Sequence, residues 1–228
     1  MRTERLALLQ MQQVCDSVFP VGAFALSNGL ETYIQQERLT DGTGLAEYLH
    51  AYLTLLPYNE LGFFFYAARA KSETELVRLD ALAAASRAPR EVREGSCRMC
   101  ARFLKLLPSL GNTSAALRAY AAAVASGDCH GVYPVALGLY AAAVHAPFSE
   151  AAGLYGYSIL SAIVTNAVKL VPLGQKDGQR ALADSLSALQ EAVQEAQDVA
   201  PEDLGLCGAG FDIRAMQHET LRARLYMS

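Results

Sequence analysis

The sequence predicts an all-α fold, a single domain over residues 1–228 with about nine to ten helices around one central apolar helix. Three observations predict it. Apolar residues recur at helical spacing along most of the chain. No stretch sustains a period-two alternation, and no Asn-Gly or Asp-Gly pair joins two β-branched runs. Finally, the segment from Tyr155 to Leu170 is apolar or small on nearly every helical face, as befits a helix enclosed by others. Pro172 stops that helix, because it lacks an N–H and disfavours helical geometry at Val171.

In chain order, Thr3 is placed to cap a first helix reaching about Cys15, with Leu6, Leu9 and Val14 on or near one face. Asp16 to Phe24 reads as a turn around Pro20 and Gly22. A second helix is expected from about Ala25 to Gln36. Gly29 inside it would cost ~1 kcal/mol against Ala, which points to a close approach of another backbone or a ligand. Leu45, Tyr48, Leu49, Tyr52, Leu53 and Leu56 mark the third helix, and Leu61 to Ala70 the fourth, with Phe63, Phe64 and Phe65 in a row. Ser72 or Thr74 starts the fifth. A charged helix follows from Arg90 to Pro108, then an Ala-rich one capped by Thr113 and ended by Gly127. Pro134 suits the first turn of a helix to His145, and the central helix runs from Phe148 to Val171. Residues 179–197 read as one amphipathic helix. A flexible Gly-rich loop is expected near 200–210, and a short amphipathic tail at 211–228. A helix under ~12–15 residues is marginal unless it packs, so the tail alone is expected to be mobile.

The chain is 52% hydrophobic and only 18% charged, against the ordinary ~25% charged. It buries a sizeable core and has apolar surface left for a partner. A net charge of −4, with no Lys/Arg stripe among aromatics, argues against nucleic acid as a partner. Ser158, Ser161, Thr165, Asn166 and Lys169 interrupt the apolar helix, which argues against a membrane span. Five cysteines are an odd number, and the first residues form a charged amphipathic helix rather than a secretory leader. A reduced, cytoplasmic location is expected.

Few residues suggest chemistry. Cys97 and Cys100 share a helical face, but a structural zinc needs four ligands and no second pair of ligands stands at suitable spacing. They read as small, semi-buried residues. His218-Glu219 opens like a zinc-protease motif, but Arg222 stands where the second His belongs. Gly205, Gly208 and Gly210 lack the preceding strand of a dinucleotide loop. His50, His130 and His145 are isolated. No catalytic set emerges, so the chain is not read as an enzyme.

Three stretches remain. The first carries Ser17, Phe19, Pro20, Gly22 and Phe24, then Ser27, Gly29, Leu30 and Glu31. The second ends the apolar helix in Pro172, Leu173, Gly174, Gln175, Gly178 and Gln179. The third closes the chain with His218, Glu219, Arg224, Leu225, Tyr226 and Ser228. Together with Arg90 to Glu94, Ser96, Met99, His130 and Tyr133-Pro134, these stretches resemble the UreF family of urease accessory proteins, while Ala25, Leu26 and Cys100 depart from the family pattern. The resemblance implies a non-enzymatic, all-α chaperone of nickel insertion into apo-urease. It implies a dimeric adaptor that binds the accessory protein UreD/UreH and recruits or gates the GTPase UreG. No cofactor would be bound tightly, and nickel would be the cargo. It places Glu31, Lys169, Gln175 and Gln179 on the GTPase side. His218, Glu219, Arg224, Leu225 and Tyr226 fall to the UreD/UreH side and the tail. A helical interaction scaffold without a metal-related role, and a helical metal-dependent hydrolase, are the alternatives.

Overall fold

The structure, a computed structural model, describes residues 2–111 and 113–226. Met1, Asn112, Met227 and Ser228, with the side chains of Arg2 and Phe24, lie outside the described residues. Among the described residues there are twelve α-helices and no strand. They are α1 (Arg2–Cys15), α2 (Leu30–Gln35), α3 (Gly42–Leu53), α4 (Gly62–Arg69), α5 (Glu73–Ala85) and α6 (Arg90–Leu110). These are followed by α7 (Ala115–Ser126), α8 (Tyr133–Ala143), α9 (Phe148–Leu170), α10 (Gln175–Asp184), α11 (Leu186–Gln197) and α12 (Ala209–His218). The all-α expectation holds, and the helix count exceeds the expected one for local reasons. The helix expected over 179–197 begins earlier and breaks at Ser185, whose hydroxyl turns back to the Ala181 carbonyl at 2.8 Å. The tail contributes α12.

Caps set several boundaries. The Asp41 carboxylate accepts from the Gly44 N–H at 2.9 Å, and Ser72 accepts from Glu75 at 3.2 Å. Ser114, not Thr113, caps α7, accepting from Leu117. Thr3 falls inside α1 rather than before it. Gly111 and Gly127 end α6 and α7 in the left-handed conformation.

The second helix is shorter than expected. Gly29, at φ +87°, stands before α2 rather than within it. A Cβ there would lie 2.8 Å from the Ala215 backbone nitrogen, so the close approach is that of α12. On its other flank, α12 inserts Phe211 among Tyr33, Tyr48 and Tyr52, with ring centroids 5.8, 5.1 and 5.6 Å away.

As expected, α9 is central, packing against α1, α2, α3, α4, α8, α10 and α11. It is long and apolar enough to cross a membrane by length and composition, and 50% of its most apolar stretch is buried inside the fold. The most enclosed helix is α8, buried from Tyr133 to Ala141. Gly138 lets α8 press onto α4, since a Cβ there would meet the Phe64 carbonyl oxygen. Phe63, Phe64 and Phe65 are fully buried in one apolar cluster that extends from Ala7 to Leu204.

Candidate functional site

The beginning of α2, the first turn of α6 and the chain from α12 to Tyr226 converge on one buried cluster of charges. Glu31 lies in the first turn of α2, 1% exposed, where a carboxylate also complements the helix dipole. Glu91 lies in the first turn of α6. Between them stands His218, the last residue of α12 and fully buried. Its Nδ1 is 2.6 Å from Glu91 Oε2 and its Nε2 3.1 Å from Glu31 Oε2. Carboxylates only accept, so an imidazolium satisfies both sides at once and a neutral ring satisfies one.

The two carboxylates also hold the tail. Glu31 Oε1 accepts from the Leu225 N–H at 2.9 Å, and Oε2 from the Tyr226 N–H at 3.2 Å. Arg224 donates to Glu91 Oε1 at 2.9 Å. Gln35 donates to the Ala223 carbonyl at 2.7 Å, Gln36 to Gln217 at 2.9 Å, and Arg90 to Glu219 at 2.8 Å. The tail therefore runs antiparallel to α2, and every tail residue from 223 to 226 has a backbone or side-chain bond to α2 or α6. Burial, and then the Glu31 charge, push the Tyr226 phenol above its ordinary range, so it stays a neutral donor at physiological pH. The expectation of a mobile tail meets a segment docked on its own chain.

Charges out of water persist when paired and hydrogen-bonded, and here each carboxylate has partners on both oxygens.

A family model described as UreF matches residues 39–186. Relatives named urease accessory protein UreF match nearly end to end. That of Bacillus sp. (strain TB-90) is 36% identical over 97% of this chain and 99% of its own. That of Haemophilus influenzae (strain PittGG) is 37% identical over 93% and 92%, and that of Paenarthrobacter aurescens (strain TC1) 34% identical over 96% and 97%. This chain belongs to the UreF family.

Within this UreF chain, the structure unites Glu31, His218, Arg224, Leu225 and Tyr226, and adds Glu91, which sequence reasoning missed. Its signal was available: Glu91 shares the buried face of α6 with Gly95, Cys100, Phe103 and Leu107, a charge at an interior position. Glu31 and His218 lie inside, closed to solvent beneath the tail. Leu225 is 76% exposed beside them. Lys169, Gln175 and Gln179 stand elsewhere, exposed at the end of α9 and the start of α10. That turn is held by Gly178, whose missing side chain admits Val168.

Two further polar features lie in the core of this UreF fold. Asp80, fully buried, accepts from Tyr120 at 2.6 Å and from the N–H groups of His130, Gly131 and Val132, fixing the start of α8. Arg87 pairs with Glu60 at 2.7 Å, and Tyr155 donates to the same carboxylate. Beside that pair, a cavity of about 140 Å³ runs between the 14–28 segment, α6 and α9. Its hydroxyls, with the partnerless buried Oδ1 of Asn166, suit bound water. No group of three or more His, Cys, Asp or Glu that could hold a metal occurs among the described residues. Burial holds the Cys97 thiol above its ordinary range and the Cys100 thiol far above it, which disfavours the thiolate a soft metal requires.

Proposed function

We propose that this protein is a non-catalytic adaptor for nickel insertion into apo-urease. It binds a UreD/UreH-like accessory protein and recruits or gates a UreG-like GTPase, as a homodimer in the cytoplasm. Nickel is the cargo of the pathway rather than a resident cofactor.

The observation that carries the reading is the docked tail. A buried carboxylate pair, oriented by His218, grips the backbone of Leu225 and Tyr226 and the side chain of Arg224. An arrangement that commits interior charges to holding residues 224–226 is costly unless that segment is read by something else. Membership of a family named for urease accessory proteins supports the partner class. The UreD/UreH-like protein meets the tail and the exposed Leu225. The GTPase meets the composite surface completed by it, with Lys169, Gln175 and Gln179 as a second contact.

The test is co-purification of the full chain with UreD/UreH-like and UreG-like proteins, read by gel filtration with GTP analogues. Co-elution of all three supports the adaptor. Failure to bind either partner leaves a helical scaffold without a metal-related role.

A further inference from the structure

We infer that the pocket between α6 and the docked tail receives a carboxylate-bearing loop of a protein partner. This rests on the reading that the tail face is a partner site. The pocket is lined by Arg90, Glu91, Glu94 and Arg98 from α6 and by Arg224 and Tyr226 from the tail. Its two walls come from distant parts of the chain, so it exists only while the tail is docked.

Its charge is uneven. Glu91 is turned inward, committed to His218 and Arg224. That leaves Glu94 as the outward carboxylate, shared by Arg98 at 3.3 Å and Arg90 at 3.9 Å. A guanidinium carries five N–H donors in a planar fork. Arg98 gives one nitrogen to Glu94, Arg224 gives one to Glu91, and Arg90 gives two to Glu219 beside the pocket. With Tyr226, three arginines against two glutamates make the lining of this pocket net basic on a chain of net charge −4.

Arg98 and Glu94 form a solvent-exposed i,i+4 pair, of the kind that contributes little and exchanges readily. An incoming Asp or Glu can take the Arg98 fork in a two-point pair and reach Arg224 at the opposite wall. The docked tail thereby becomes a readable state: the partner's carboxylate finds both arginines only when the tail is in place.

Arg98 takes no part in holding the tail, which makes it the probe. Arg98→Glu and Arg98→Lys are made in the full chain, and binding to the UreD/UreH-like and UreG-like proteins is titrated at low and high salt. Arg98→Glu is expected to weaken binding by about tenfold or more, Arg98→Lys by only ~2–3-fold, and added salt is expected to weaken the parent protein's binding. Glu94→Gln, which removes the competing carboxylate, is expected to tighten binding by about 2–5-fold. Melting temperature and hydrogen exchange at 223–226 are expected to be unchanged in Arg98→Glu. If Arg98→Glu binds like the parent while deletion of 222–228 abolishes binding, the pocket is not the contact and the reading of the tail stands. If the deletion also binds like the parent, that reading fails as well.

Discussion

Glu31 and His218 are 187 residues apart in sequence and 3.1 Å apart in the fold, both closed to solvent. Their contact joins the first third of the chain to its end and places the carboxylate that the tail then grips. Glu31→Ala would leave His218 Nε2 without its acceptor and release the N–H groups of Leu225 and Tyr226. Breaking a buried charged pair costs about 3–5 kcal/mol. Urea denaturation is expected to show a loss of that order for Glu31→Ala and a smaller one for Glu31→Gln, which keeps an oxygen acceptor. A fully stable Glu31→Ala protein would mean that the cluster does not hold the fold together.

Lys169 offers the contrast. It is exposed in the last turn of α9, where the helix dipole favours a cation by ~0.3–1 kcal/mol. Lys169→Ala is expected to lower urease activation with a stability change under ~1 kcal/mol. A fall in melting temperature with unchanged activation would reduce Lys169 to a helix-end charge.

Cys97 and Cys100 are free thiols on one stretch of α6, the second fully buried. Changing both to Ser is expected to leave complex formation and urease activation largely intact, with a packing loss of about 1–2 kcal/mol. Stoichiometric zinc or nickel that disappears with the double substitution, together with function, would contradict this.

Stability is expected to fall on the alkaline side. Burial pushes the thiols of Cys15 and Cys129 up to about 12 and about 11, and raises the phenols of Tyr48, Tyr133 and Tyr155 well above their ordinary range. The folded state thus keeps protons that the unfolded state releases. Their contribution is complete below the unfolded thiol range and is lost as pH rises from about 9 upward. Urea midpoints measured from pH 7 to 11 should decline above about 9, and a flat profile would contradict the burial of these groups.

The helices were legible because their periodicity and caps are local. Gly29 announced a close approach, and the structure supplies the Ala215 backbone. Ser185 was not legible as a break, because the apolar stripe of α10 and α11 continues across it. Glu31 in the first unusual stretch and His218 with the tail residues in the third were visible, but their meeting depends on long-range folding that spacing does not encode. Glu91 was missed for the same reason, although its interior position on the face of α6 marked it.

We propose that the docked tail, pinned by Arg224 on Glu91, completes the surface that recruits the GTPase. Arg224 is 42% exposed, so its pair with Glu91 is weakened by solvent and contributes little to global stability. The most direct measurement is UreG-like GTPase recruitment by the UreD/UreH-bound complex for the parent, for Arg224→Ala and for a chain lacking 222–228, with melting temperatures and hydrogen exchange at 223–226 alongside. Recruitment at least tenfold weaker is expected in both variants, with melting temperatures changed by only a few degrees and exchange at 223–226 that slows when the UreD/UreH-like protein binds. Normal recruitment by Arg224→Ala, with exchange at 223–226 the same with and without the partner, would contradict it and leave the tail a structural end.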